Sequence, residues 1–518
     1  MSYWVTPSEM AGLDRVTIAK GVPGEVLMER AGEAIAAVAA RMIRPGEGPV
    51  EVWAGPGNNG GDGFVVARLL LERGFGVRVI AAFDRDRQLP EESEQNRRRF
   101  EDLGGELSYQ SDHRPLPGAP PALMVDALLG TGFRGYLRDD AAEAAGVMRG
   151  RRCPVLAVDT PSGLNGETGD ADPGAVRADV TVTLACPKIG LLLPPGCALV
   201  GTLILADIGI APPSNADRLV MDVDLARGLL PRRPVDAHKG IFGRVLLLGG
   251  CEEMPGAPML MTMGALRAGA GLVELCVPLP AAPAVAGRIP EALFSYFLPG
   301  DVTSMPDPES FTCAAIGPGM GDSVSTRKVM RHILTNWSLP LVLDADALNS
   351  LSGDLGLLSG YGSPLILTPH PGELRRLTGE DSKGLKTRWE AASRLAEGTG
   401  SVVVLKGRPS AVFHPSGGRI LIPSGNNGLA TGGSGDVLTG MIVSLLGQGM
   451  DAGDAAALGA YLHGLAADIA VSRTSRRSLI PTDVVAAVGA AYALIEDTRN
   501  NSLLHVEGSF NGRLWHHP

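Results

Sequence analysis

Short, continuous apolar runs recur along the chain, separated by longer stretches with helical spacing. In the front part the runs are 50–54, 77–82, 123–126, 155–159 and 180–184. Apolar runs this short and unbroken predict strands buried on both faces of a parallel sheet. Helices are expected between them, at about 27–42 and at 62–73, the second closed by Gly74. A further helix opens at Thr6-Pro7-Ser8-Glu9, where Thr6 is the N-cap, Pro7 the first helical residue and Glu9 the return partner of a capping box. Strand 50–54, a glycine-rich loop, helix 62–73 and strand 77–82 make one βαβ unit.

The pattern restarts after Ala211-Pro-Pro-Ser-Asn-Ala-Asp217, a polar, proline-bearing segment that predicts a domain boundary. Strands follow at 244–248, 272–276, 341–343, 365–367 and 402–405, with a helix at 257–270. The expectation is two α/β domains, 1–215 and 216–500, and a loose polar tail at 501–518. A length of 518 residues fits that division.

Composition narrows the function classes. A net charge of -10 argues against a polyanion binder, and the one compact basic run, Arg97-Arg98-Arg99, reads as a solvated helix face. No nucleic-acid or membrane partner is expected. The uncharged stretch 189–206 contains Pro194 and Pro195, which argues against a spanning helix. The first residues lack the basic and apolar regions of a secretory leader. Six cysteines, none in a Cys-x-x-Cys pair, read as reduced thiols. A cytoplasmic protein is expected.

In the front half, Gly55-Pro-Gly-Asn-Asn-Gly-Gly-Asp-Gly63 sits between a strand and a helix and contains Gly-x-Gly-x-x-Gly, with Asp84 ending the next strand. A nicotinamide-dinucleotide dehydrogenase is one reading. Against it, Asp62 would put a carboxylate where a pyrophosphate meets the helix dipole. Asp126 and Asp159 each end a strand before a glycine-bearing turn, and with Asn59 they fit an oxygen-lined site for a cation or polar ligand. Capping is the alternative for either aspartate alone. These segments, with Val125-Asp-Ala-Leu-Leu-Gly-Thr-Gly132 and Val158-Asp-Thr-Pro-Ser-Gly163, resemble the NAD(P)H-hydrate epimerase domain over about 1–215. The resemblance implies a Rossmann-like α/β/α sandwich. It implies a hydrate site lined by Asn58, Asn59, Gly60, Gly61 and Asp62, and by Gly130, Thr131, Gly132, Phe133, Arg134, Gly135 and Tyr136. It implies potassium on Asn59, Asp126 and Ser162, and Asp159 as acid/base and substrate contact, with Lys188 supporting the pocket. Related domains also serve as binding modules, the noncatalytic alternative for this half.

In the back half, Gly432-Gly-Ser-Gly-Asp436 precedes an apolar helical run. Backbone N–H groups there make an anion cradle, and Asp436 can take a proton from a hydroxyl attacking a phosphate. The alternative is a glycine turn with Asp436 as a cap. No Walker-type loop occurs. With His238-Lys-Gly240, Gly317-Pro-Gly319, Leu343-Asp-Ala-Asp346-Ala-Leu-Asn349, Thr368-Pro-His-Pro-Gly-Glu373 and Leu405-Lys-Gly407, the region 218–495 resembles the ADP-dependent NAD(P)H-hydrate dehydratase. That implies a ribokinase-like fold and magnesium beside the ADP co-substrate. It implies hydrate contacts at Ala257, Gly319, His370 and Asp436, and a nucleotide held by Lys406, Gly407, Arg408, Pro409, Ser410 and Gly435. The segment 252–256, Glu-Glu-Met-Pro-Gly, departs from that family's glycine/serine-rich turn, and Asn427 stands where a proline is common. His370 is alternatively a turn histidine, and Asp344 and Asp346 strand-end caps.

Together the halves imply repair of hydrated NADH and NADPH. One domain epimerises the hydrate, and the other dehydrates the S epimer with ADP, giving NAD(P)H, AMP and phosphate. The enzymatic rival is a vitamin or sugar kinase, which would accumulate a phosphorylated product.

Overall fold

The computed structural model describes residues 2–110, 119–213, 218–381 and 383–497, and the backbone of 503–504. The chain divides into two units that meet in sequence between Asn215 and Ala216. Part of the expected boundary, 214–217, and most of the tail lie outside the described residues.

The front unit is built on β1 (Val50–Ala54), β2 (Val77–Ala81), β3 (Glu106–Tyr109), β4 (Leu123–Ala127), β5 (Val155–Val158), β6 (Val180–Leu184) and β7 (Thr202–Ala206). Their order across the sheet is β7-β6-β5-β4-β1-β2-β3, all parallel. Successive residues feed opposite faces. Val52, Val79 and Val125 join one buried cluster with Ile35, Phe64 and Leu70 of the Gly24–Met42 and Asn58–Glu72 helices. Trp53, Ile80 and Met124 join another with Ala144 and Met148 of the Asp139–Arg149 helix. That is the α/β/α sandwich the unbroken apolar runs demanded. Stretch 189–206 contributes two 3-10 turns and β7. Leu503–Leu504 pairs antiparallel with β7, so this part of the expected loose tail is a sheet edge. The capping box at Thr6 and Glu9 is present, with Pro7 opening the Pro7–Ala19 helix. Arg97, Arg98 and Arg99 pair with Glu94, Glu101 and Glu25, as a solvated face would.

One expected boundary moves. The helix after β1 begins at Asn58, with Gly57 as N-cap, and not at Asp62. Glycine's poor helix propensity argues for a loop there. Packing overrides it: a Cβ at Gly60 would stand 1.9 Å from the Gly55 oxygen, and one at Gly63 2.6 Å from Ala127 Cβ.

The back unit continues with β8 (Leu219–Val220), β9 (Arg244–Leu248), β10 (Leu272–Pro278), β11 (Leu293–Phe297), β12 (Cys313–Ile316), β13 (Leu341–Leu343), β14 (Leu365–Leu367), β15 (Val402–Leu405), β16 (Ser410–Phe413) and β17 (Arg419–Ile422). The order is β8-β17-β16-β15-β14-β13-β12-β9-β10-β11. All pairings are parallel except β15–β16 and β16–β17. The Ser434–Gly447 helix packs on β9, β12 and β13 and against the Gly256–Arg267 and Ala452–Val471 helices. Its approach to Gly256–Arg267 is glycine-dependent: a Cβ at Gly440 would lie 1.9 Å from the Met261 oxygen.

Candidate functional site

The front-unit aspartates stand at the C-terminal ends of β4 and β5, where open α/β sheets bind ligands. Asp126 is fully buried. Its Oδ1 accepts from Ser162 Oγ at 2.6 Å and from the Leu128 N–H at 3.3 Å, and its Oδ2 accepts from the Ser162 N–H at 2.8 Å. Burial pushes this carboxyl up to about 6, against those hydrogen bonds. Asp159 follows β5 with φ +62°, a conformation strained for any residue but glycine. Its Oδ1 accepts from the Leu184 N–H at 3.0 Å, from Thr183 Oγ1 at 3.1 Å and from the Lys188 ammonium. Lys188 is buried and also donates to the Leu184 carbonyl at 3.0 Å.

Asp62 points its charge at the same place. Burial first, then Asp159, pushes its carboxyl well above the ordinary range. Asp14, on the Pro7–Ala19 helix, is raised by burial and then feels Lys188 and Asp159. Carboxyls raised by burial beside a lysine–carboxylate ion pair make an acid/base set. Asn59 reaches the second loop: a Cβ at Gly130 would be 3.1 Å from its Oδ1. Its side-chain nitrogen is buried without a partner. Of the rest of the expected 130–136 lining, Thr131 and Phe133 are half-buried. Gly132, Arg134, Gly135 and Tyr136 are exposed, and Arg134 pairs with Glu167.

In the back unit, Gly433 takes φ +92° and caps the Ser434–Gly447 helix without a side-chain hydrogen bond. Asp436 is therefore the third helical residue and not the cap. Its carboxyl is pushed up to about 7, first by burial and then by Asp344. A Cβ at Gly435 would stand 3.4 Å from Lys406 Nζ, so that lysine and the first turn of the helix meet. Lys406 donates to Asp344 Oδ1 at 2.6 Å and lies 3.5 Å from Glu373 Oε2. Burial lowers the lysine, but Asp344 and Glu373 outweigh it and the net shift is upward.

His370 is a helix cap. Its Nδ1 accepts from the Gly372 and Glu373 N–H groups at 2.9 and 3.3 Å, while Glu373 Oε2 accepts from the His370 N–H at 2.7 Å. Its Nε2 remains 3.4 Å from Glu373 Oε1, so the turn reading and a place beside Lys406 both hold. Ala257 and Gly319 come together, a Cβ at Gly319 lying 3.0 Å from Ala257 Cβ. The 406–410 turn is closed by Ser410 Oγ donating to the Gly407 carbonyl at 3.0 Å, and Arg408 donates to the Gly425 carbonyl at 2.7 Å. Asp346 accepts from the Gly321 N–H at 2.8 Å, a structural bond.

Sequence reasoning missed Asp14, Thr183, Glu373 and Thr439, and left Asp344 as a strand-end cap. Glu373 had a signal: it stands three residues after His370 and completes a capping box. Thr439 lies one turn beyond Gly435, a spacing that carries meaning only once a partner carboxylate is in place.

Two α/β units, one with a buried carboxylate–lysine site and one with a glycine-capped helix N-terminus beside a carboxyl tuned near neutrality, define a two-site enzyme. The family model described as NAD(P)H-hydrate dehydratase matches residues 245–488, and that described as YjeF-related protein N-terminus matches 24–190. The bifunctional NAD(P)H-hydrate repair enzyme of Moorella thermoacetica is 38% identical over 508 residues, covering 93% of this chain and 95% of the relative. The enzyme of that description from Escherichia coli is 37% identical over 465 residues, covering 88% and 87%. A solved ADP/ATP-dependent NAD(P)H-hydrate dehydratase from Bacillus subtilis, co-crystallised with ATP and Mg2+, is 33% identical with a TM-score of 0.50. It covers 55% of this chain and is itself covered completely. The chain belongs to the bifunctional NAD(P)H-hydrate repair enzymes, and its back unit shares the fold of the solved dehydratase.

Proposed function

We propose that the front unit interconverts the R and S epimers of hydrated NADH and NADPH, and that the back unit dehydrates the S epimer with ADP. The observation that carries this reading is Asp436. Its carboxyl is tuned to about 7 in the first turn of the cradle helix, next to the half-buried Lys406. There it serves as proton acceptor for the C6 hydroxyl. The hydroxyl oxygen attacks the terminal phosphorus of ADP, the bond to AMP breaks, and the proton passes to Asp436. Phosphate then leaves C6, helped by the ring-nitrogen lone pair, and loss of a C5 proton to water restores NAD(P)H.

Nucleotide loop 406–410 and Gly435 would hold the ADP. Among the described residues no cluster of three or more His, Cys, Asp or Glu forms a metal cage. Both oxygens of Asp344 are already hydrogen-bonded. Magnesium therefore fits as an ion carried by the nucleotide phosphates and water. Potassium fits the front site better. Turned about, the Asn59 amide would offer its oxygen at the buried point where its nitrogen now lacks a partner. Asp126 and Ser162 supply further oxygen, a donor set suited to a hard cation. Asp159, held by Lys188, is the acid/base residue of epimerisation, with Asp62, whose carboxyl burial raises, as its neighbour.

We assign the enzyme to the cytoplasm, since its six cysteines form no disulfide, and expect a homo-oligomer on the family resemblance alone. The test is incubation of mixed NADH hydrates with ADP. Recovered NADH with stoichiometric AMP and phosphate is expected. A phosphorylated product that accumulates would establish the kinase reading instead. Conversion of R to S hydrate by residues 1–215, without nucleotide, tests the front unit.

A further inference from the structure

Asp344 ends β13 and is 1% exposed. Its oxygens go to side chains: Oδ1 accepts from Lys406 Nζ at 2.6 Å and Oδ2 from Thr439 Oγ1 at 2.7 Å. Thr439 stands one turn beyond Gly435 in the Ser434–Gly447 helix. A Cβ at Gly435 would lie 3.4 Å from Lys406 Nζ and 3.6 Å from Asp344 Oδ2. The ammonium is thus set against the first turn of the helix, with Glu373 Oε2 3.5 Å away on its other side.

The backbone around Asp344 is strained to produce this placement. Ala345 takes φ +50° and ψ -116°, a conformation that costs on the order of 1–3 kcal/mol outside glycine. Gly317, at φ +128°, comes so close that a Cβ would stand 1.8 Å from the Asp344 oxygen. A strand-end cap needs neither feature.

We propose that Asp344 is a positioning residue of the dehydratase: it clamps the Lys406 ammonium at the N-terminal turn of the Ser434–Gly447 helix, where charge develops on the transferring phosphoryl group, and Thr439 locks the clamp. The proposal rests on reading the back unit as a dehydratase. A free lysine tip samples many rotamers, whereas one pinned by a buried carboxylate needs no reorganisation when the phosphoryl charge shifts. Donors fixed in this way act on the transition state more than on bound nucleotide, so kcat should suffer more than KM. The clamp also reaches Asp436, whose carboxyl is raised by burial and then by Asp344; Lys406, Asp346 and Glu373 are the other charged groups that act on it. Removing the Asp344 charge should move the acid limb of the pH profile to lower pH. That shift follows from the Asp344 charge alone, so the clamp itself is read from a fall in kcat at unchanged KM.

The experiment uses the full chain, S-enriched NADH hydrate and ADP, with wild type, Asp344→Asn and Thr439→Val. Expected for Asp344→Asn is a kcat loss of about 10²-fold or more, the scale of losing one preorganised charge stabiliser. The KM for ADP should stay within about threefold, and the acid limb should move down in pH. Thr439→Val should shift both readouts in the same direction by less. An effect confined to KM, or to melting temperature with an unmoved pH profile, overturns the proposal. If Asp344→Asn does not fold, Thr439→Val decides: unchanged kcat and unchanged pH profile overturn it. A wild-type enzyme that produces no NADH from the hydrate would sink the dehydratase reading itself, a failure distinct from that of the clamp.

Discussion

At the scale of single residues, burial sets what each titratable group can do. Asp436 has no side-chain cap bond to explain it, and its carboxyl sits near 7. Asp436→Asn should lower dehydration by about 10²–10⁴-fold, the usual contribution of a general base, while AMP and ADP still bind. Stability should move the other way. A carboxyl raised in the folded state loses stability as pH rises from 4 toward about 7, so the Asn variant should melt higher than wild type at pH 8. His463 has the opposite sign. Burial holds it down to about 4, so below the ordinary histidine range the unfolded chain binds the proton first. Its contribution is complete above pH 6.5 and falls by about 1.4 kcal/mol per pH unit toward pH 4. Denaturant melts of His463→Gln from pH 7 to 4 should show that slope reduced; an unchanged slope would mean that other groups carry it. Asp126→Ala should weaken the potassium dependence of epimerisation and leave dehydration of the S epimer intact, which potassium titrations of both rates would reveal.

At the scale of elements, glycine decides how closely helices and strands approach. The Ser434–Gly447 helix carries the cradle and lies against Gly256–Arg267 through Gly440 and Gly264. A Gly440→Ala Cβ would meet the Met261 backbone at 1.9 Å, which a rotamer change cannot relieve. Overpacking of this kind typically costs about 1–3 kcal/mol. Because the displaced helix also carries Asp436, kcat for dehydration should fall along with the melting temperature, while epimerisation stays at the wild-type rate. Gly57–Gly61 shows where reading glycine from sequence goes astray. The run has loop composition, yet it opens the Asn58–Glu72 helix, where Gly60 lies too close to Gly55, and Gly61 too close to Ser93 and Met28, for a Cβ to fit.

At the scale of the whole molecule, each unit has its own sheet, and the front site uses residues 14–188 alone. Residues 1–215 should fold and epimerise without nucleotide. Truncation there removes Leu503–Leu504 and bares the edge of β7. Exposed edges promote association, so the truncated unit should be active but more prone to aggregate than one in which a strand covers β7. Light scattering alongside the epimerisation rate separates the two effects.

The sequence by itself determined the strands and their parallel arrangement, because an unbroken apolar run has one stable environment, a sheet covered on both faces. Strands 50–54, 180–184, 244–248, 341–343, 365–367 and 402–405 stand where the pattern put them. It also determined the family, since Asp126, Asp159, Lys406 and Asp436 sit in motifs with fixed neighbours. Short or irregular strands were illegible: β3 and β8 have too few apolar positions, and β16 pairs antiparallel on both sides, which its composition does not mark. Only the tertiary structure could decide that Asp14 and Asp62 share the field of Asp159 and Lys188, or that Asp344 grips Lys406 and Thr439. Those partners lie 62 and 95 residues from Asp344 along the chain. Spacing in sequence carries local geometry, such as a cap or a turn. A charge's neighbours across a sheet are fixed by strand order and helix packing, and these set its burial and its chemistry.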